Sequence, residues 1–335
     1  MDPLTHGVAS FALQRAFFPR VTWRSVVLIV AAGVIADVDW LSATLGPSGY
    51  MRWHRTVTHS LFFVAVLAIA AFAFAQLIKK AGRGVWAGFS WLPVVPAGLL
   101  HLFLDVLQAD EVALLWPFSS RRFALDVLPP LEPWLLAILI AAILLPELFL
   151  LVSEEIGSRT KRPRGRNGAI VGLVFAVLYI GLRSLLHANA VASIEAHTIA
   201  GEMPHRAAAF PDTTSPFLWH SVVETQSALN LVTMRSMGGE VSYASGVTTL
   251  HKPEPSPMLA AAQHSPTAVS FVKFARFPKA VVQTESEGYS VEIQDLKDQA
   301  SEEKSRAIFA NINLDKNSRV LSSELQWQKS LIAAR

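Results

Sequence analysis

Six apolar runs separated by short polar loops constrain this chain more than any other feature, because stretches of that length are buried either in a bilayer or in a large helical core. They cover about residues 4 to 18, 25 to 43, 58 to 78, 86 to 108, 132 to 152 and 168 to 187. Several approach the roughly 20 residues that cross the hydrocarbon core, while the first is short and reads as tilted, partial or re-entrant. Over 335 residues the chain is 52% hydrophobic and 16% charged, with a mean hydropathy of +0.37, too apolar for an ordinary soluble enzyme. The expected fold is a predominantly α-helical membrane protein of about six apolar helices. The start, Met1-Asp-Pro-Leu-Thr-His, has neither a basic n-region nor a cleavage site, so the first helix is expected to be retained.

The basic residues of the loops orient these runs. Arg15, Arg20 and Arg24 lie between runs one and two, Lys79, Lys80 and Arg83 between three and four, and Arg159, Lys161, Arg162, Arg164 and Arg166 between five and six. These loops alternate, so all three fall on one face, which the positive-inside rule makes cytoplasmic. The opposite loops, 44 to 57 and 109 to 131, carry only Arg52, Arg55, Arg121 and Arg122. The formal net charge of +3 is small, and no basic stripe interleaved with aromatics suggests nucleic acid as a partner.

After residue 188 the composition shifts to Ser, Thr, Pro, Glu and Lys. Residues 1–188 are expected to form the polytopic membrane domain, and 189–335 an extracytoplasmic soluble α+β domain. Val241 to Leu250, Ala280 to Thr284, Tyr289 to Ile293, Ile308 to Leu314 and Glu324 to Trp327 read as strands, with Asp315, Lys316 and Asn317 as a turn. Trp219 and His220 read as a structural aromatic and a solvated imidazole sooner than as the lining of an entrance.

Seven candidate metal ligands then stand out near the ends of the apolar runs: His6, Asp37, Asp39, His54, His59, His101 and Asp105. The charge-derived topology puts all seven on the outward side. His101 and Asp105 are four apart, so one helix face carries both, although taken alone they read equally as a buried hydrogen-bonded pair. Asp37 and Asp39 diverge by roughly 200° on a regular helix, so both reach one site only if the helix ends or unwinds there. Polar groups in a membrane segment are costly, and two carboxylates at its boundary need compensating positive charge. His54 and His59 frame a loop in which Arg55 can hold a phosphate or pair with an aspartate, and Thr58 and Ser60 can orient ligands or cap the next helix. Asp2-Pro3 reads as N-cap and N1 of the first helix.

Imidazoles with carboxylates and no cysteine thiolates suit Zn²⁺, Mn²⁺ or Fe²⁺ better than Mg²⁺ or Ca²⁺. Seven candidates exceed one tetrahedral shell, so either two ions bind, or one binds while Asp37 or Asp39 serves as base for the attacking water.

Met1-Asp-Pro-Leu-Thr-His-Gly, Ala36-Asp-Val-Asp-Trp, His54-Arg-Thr-Val-Thr-His-Ser, and His101-Leu-Phe-Leu-Asp followed by Leu115-Trp-Pro-Phe-Ser together resemble the YdjM-like membrane-bound metal-dependent hydrolases. The resemblance covers roughly residues 1 to 135 and implies a helical membrane protein of the inner membrane, with a metal-dependent hydrolase centre built from the seven residues above. Glu132, before Pro133, departs from the Asp that similar proteins carry there.

The expected function is water activation on an ester bond, with catalytic roles for Asp37, Asp39 and Arg55. The most plausible bond is a phosphoester of a membrane-proximal or lipid-linked anionic substrate, whose head Arg121 or Arg122 could also bind. The rivals are a metal-binding transporter or sensor, and a scaffold in which the polar residues satisfy one another.

Overall fold

The computed structural model describes residues 1–80, 90–155, 165–237, 240–243, 246–300 and 307–328. Arg83, Arg159, Lys161, Arg162 and Arg164, used above for orientation, lie outside them, as do the first residues of the 86 to 108 run. The chain forms two compact units, Met1–Ser42 with Trp53–Ser184, and Ala43–Arg52 with Leu185–Arg335.

The first unit is helical. Asp2 accepts a hydrogen bond from the Thr5 N–H at 2.9 Å, and with Pro3 it starts α1 (Pro3–Phe17) as the sequence indicates. Thr22 caps α2 (Trp23–Ala32), which stops at Gly33 and gives way to a 3-10 segment, Ile35–Leu45. Then come α3 (Gly46–Trp53), α4 (Leu61–Lys80), α5 (Val94–Val106), α6 (Pro133–Glu155) and α7 (Arg166–Ala196).

All six apolar runs contain helix, but not every one is long enough by itself to span a membrane. By length and composition, two helices among the described residues can cross a bilayer, α4 and α7. A third span arises only if α2 and Ile35–Trp53, bent by 43° at their break, count together. At about 1.5 Å per residue, the 15 residues of α1 and the 13 of α5 fall short of a 30 Å core. The two spanning helices leave Val66, Ile69, Phe72 and Leu77, and Val174, Phe175 and Leu178, exposed, as a lipid-facing surface requires.

Small residues set the helix packing. A Cβ on Gly172 would lie 2.1 Å from the Ala142 Cβ, and one on Gly168 would lie 2.2 Å from the Pro146 Cγ, so this GxxxG pair lets α7 lie directly on α6. The core between α1, α5, α6 and α7 holds Ala9, Ala12, Leu104, Leu107, Leu135, Leu139 and Ala176. Glu132 is buried in this unit and accepts a hydrogen bond from the Tyr179 hydroxyl at 2.8 Å.

The second unit holds two antiparallel sheets. The first comprises β1 (Arg206–Pro211), β2 (Leu218–Glu224), β3 (Ala228–Met237) and β4 (Glu240–Tyr243) in that order, with β5 (Thr248–His251) also paired to β3. The run Val241 to Leu250, expected as one strand, is thus two strands; residues 244 and 245 lie outside the described ones. Helices α8 (Pro257–Gln263) and α9 (Pro266–Phe274) precede the second sheet, a meander of β6 (Pro278–Glu285), β7 (Gly288–Asp295), β8 (Ile308–Asp315) and β9 (Val320–Trp327), with α10 (Leu296–Ala300) after β7. On β8, Ile308, Ala310, Ile312 and Leu314 alternate inward against Phe271, Val291 and Ile293.

Tyr50, from the insert 43–52, joins that core and packs edge-on against Trp327 at 5.3 Å. Helix α7 runs unbroken through residue 188, and its Leu186, Ala190 and Ile194 pack in this unit against Trp219, which is fully buried.

Candidate metal centre

The carboxylate and imidazole at the heart of the first unit come from one helix face. On α5, His101 and Asp105 are one turn apart, and His101 Nε2 lies 3.1 Å from Asp105 Oδ2. The other ring nitrogen, Nδ1, is 2.8 Å from the Gly33 carbonyl, so it is the donor and leaves Nε2 with its lone pair toward the cluster. His6, from α1, stacks its ring on His101 at 3.9 Å and places Nε2 3.3 Å from Asp105 Oδ1. Asp37 comes from the 3-10 segment. His6, Asp37, His101 and Asp105 each offer a ligand atom, all within 4.8 Å of one another, and so form a group able to hold a metal ion.

The donor set fits such an ion. Ligands about 2.1 Å from a tetrahedral metal stand about 3.4 Å apart, a modest adjustment from this spacing. Asp37 Oδ2 and His6 Nδ1 are buried without a hydrogen-bond partner, although buried polar atoms are normally satisfied. Asp105 is fully buried, and beside the two imidazoles its carboxylate draws on the Met1 amino group and on Gln108 Nε2 at 2.8 Å.

His59 adjoins this group. Its Nε2 is 2.9 Å from Asp105 Oδ2 and 3.2 Å from His101 Nε2, while Nδ1 is 2.9 Å from Asp39 Oδ2. Burial opposes the charged form of His59, but hydrogen bonds to Asp105, Asp37 and Asp39 outweigh it and raise its pKa to about 10. At His59, then, three neighbouring carboxylates favour positive charge strongly enough to overcome desolvation.

The two aspartates of Asp37-Val-Asp39 part ways. The helix does end before them, at Gly33, yet Asp37 turns to the inner group and Asp39 to the far edge of the His59 ring. Asp39 organises the loop: beyond His59 it accepts from the Arg55 N–H at 2.7 Å and the Thr58 hydroxyl at 3.1 Å, and it pairs with His54 Nδ1 at 3.1 Å. His54 is thus tied to Asp39 in an outer layer rather than to the inner four. Ser60 accepts from the Phe63 N–H at 3.1 Å and caps α4.

Arg55 is buried, with a left-handed φ of 53°, and its guanidinium donates to Gln108 Oε1 at 2.8 Å and to the Asp110 carbonyl at 2.9 Å. Its fork braces the loop against the end of α5. Arg122 donates to Thr56 Oγ1 at 3.0 Å and to the Glu111 carbonyl at 3.2 Å, whereas the exposed Arg121 lies over the Phe123 ring at 5.1 Å.

Gln108 and the Gly33 carbonyl have no part in the sequence reading. Gln108 had a local signal, three residues beyond Asp105 at the helix end; a backbone carbonyl has none. In the second unit, His220 Nε2 lies 3.1 Å from Asp212, which accepts three further hydrogen bonds from Thr214 and Ser215, a turn-stabilising arrangement.

Three comparisons bear on this centre. The family described as YdjM inner membrane protein matches residues 1–190, more than half of the chain, and that stretch holds every residue of the cluster. The chain is 24% identical over 308 residues to "Uncharacterized protein YfhP" of Bacillus subtilis (strain 168), covering 89% of this chain and 86% of that protein. No solved structure matches it.

Proposed function

The chain belongs to the YdjM inner membrane protein family, and from that premise we propose that it is a metal-dependent hydrolase of the inner membrane, acting on a phosphoester of a lipid-linked or membrane-proximal substrate. The observation that carries the proposal is the inner group of His6, Asp37, His101 and Asp105, whose ligand atoms converge within 4.8 Å while Asp37 Oδ2 and His6 Nδ1 are buried without a hydrogen bond.

His6, His101 and Asp105 would hold the ion, with zinc best suited to two imidazoles and a carboxylate, and manganese or iron the alternatives. Bound there, a divalent ion supplies Lewis acidity, lowering the pKa of a water toward about 7 and neutralising charge on phosphoryl oxygens. Asp37 has the most exposed side chain of the four, 18% against no more than 1% for the others, so it faces the side from which water and substrate arrive. It is the carboxylate placed to orient that water and take its proton. Asp39 holds the His59 ring by Nδ1, which keeps Nε2 turned toward the reacting side. Arg121 is an exposed cation available to an anionic headgroup, whereas the forks of Arg55 and Arg122 grip the protein itself. The loop charges favour an outward-facing site.

The test is elemental analysis of detergent-purified protein beside His101→Ala and Asp105→Asn, followed by assay on aryl phosphate mono- and diesters. Near-stoichiometric metal in the wild type, lost in both variants together with hydrolysis, is the expected result. Metal that binds with no ester turned over would make the protein a carrier or sensor, and no metal at all would make the cluster structural.

A further inference from the structure

The segment 109–125 folds back on itself through paired hydrogen bonds between Val112 and Phe123, both 2.9 Å, and presents Leu115, Trp116, Pro117 and Phe118 at its tip. Phe118 is 85% exposed and Leu115 41%. A cluster of exposed apolar side chains at a loop tip has no reason to stay in water.

Depth follows from what the tip touches. The Leu114 carbonyl accepts from the N–H of Leu61, the first residue of the spanning helix α4. Phe62, the second residue of α4, meets Trp116 and Phe118 edge-on at 6.0 and 6.4 Å. A loop whose rings pack on the first turn of a spanning helix lies at the end of that span, where headgroups meet acyl chains. Tryptophan, other aromatics and a nearby arginine are the residues that settle at such a boundary. Arg121, exposed beside the tip, supplies the cation at phosphate level.

We propose that the Leu115–Phe118 tip is an interfacial anchor seated in the lipid headgroup region at the α4 end of the membrane, with phospholipid as its partner. The loop is bonded to the ligand-bearing segment, through Ala113 N–H to the Arg55 carbonyl at 3.0 Å and Arg122 to Thr56. His59 lies two residues before α4. The anchor therefore holds the metal centre's mouth at headgroup level, and the ester within reach is that of a lipid head. The depth of the tip does not depend on the hydrolytic reading; only this last consequence does.

The chain has no cysteine, so one introduced thiol takes one label. Phe118→Cys, carrying a nitroxide in the full chain in a phospholipid nanodisc, is compared with Ile69→Cys on the exposed face of α4 and Lys316→Cys in the β8–β9 turn. The expected ratio of oxygen to nickel-chelate accessibility at 118 is severalfold above that at 316 and below that at 69. A ratio equal to that at 316 overturns the proposal, and so does low accessibility to both reagents, which marks a protein contact. Trp116→Phe gives a second readout that leaves position 118 untouched: brominated lipids should quench a smaller share of the emission than in the wild type, and an unchanged share speaks against the anchor.

Discussion

Gly33→Ala should weaken metal binding about 10–100-fold, the range typical of lost support behind a metal-ligating histidine, although residue 33 offers no side chain to the site. A Cβ at Gly33 would stand 1.9 Å from Ser10 Oγ and 2.8 Å from Ser10 Cβ, contacts that force α1 and α2 apart. Overpacking of this kind costs about 1–3 kcal/mol. It acts at two of the candidate ligands together, since the Gly33 carbonyl fixes His101 Nδ1 at 2.8 Å, and Ser10 lies one turn beyond His6 on α1.

Ser10→Gly removes both clashing atoms. The double variant should therefore recover most of the affinity while losing about 0.5–1 kcal/mol of helix stability to the added glycine. Competition with a metal chelator, read beside thermal unfolding in detergent, measures both. A Gly33→Ala protein that binds metal like the wild type refutes the reasoning, and so does a double variant no better than the single.

Two further outcomes follow from the same structure. Asp39→Asn removes the charge that gathers His54, the Arg55 N–H, Thr58 and His59, so metal affinity should fall about 10–100-fold although Asp39 lies outside the inner four; chelator competition shows it, and an unchanged affinity would detach Asp39 from the site. In the second unit burial works to raise the pKa of Asp212, but hydrogen bonds from Ser215, His220 and Thr214 prevail and hold it down at about 2, below the roughly 3.9 of an unfolded aspartate. Its charge thus stabilises the fold above about pH 4 and stops doing so as the pH falls through the folded value. The melting-temperature deficit of Asp212→Asn at neutral pH should shrink toward pH 2, and a constant deficit would trace the loss to shape rather than charge.

Composition and spacing alone determined that the chain is apolar enough for a membrane and that histidines and aspartates gather at the ends of its apolar runs. Those features are local: a run of leucines and alanines is apolar in any fold, and His101 and Asp105 share a face on any helix. The strands of β6 to β9 were legible for the same reason, since alternation marks a half-buried strand. Tertiary structure decided the rest. Helix length decided which apolar runs can span a 30 Å core: α1, α2 and α5 stop at Phe18, Gly33 and Leu107 through local bonds that hydropathy does not register, and each alone is too short. Asp37 and Asp39, two residues apart, took an inner and an outer place according to which edge of the His59 ring each meets. Arg55 turned its fork to Gln108 and the Asp110 carbonyl, partners more than 50 residues away that no local pattern announces. The insert 43–52 joined the second unit's core through Tyr50 because its burial is satisfied there, by Trp327 and its neighbours at the other end of the chain.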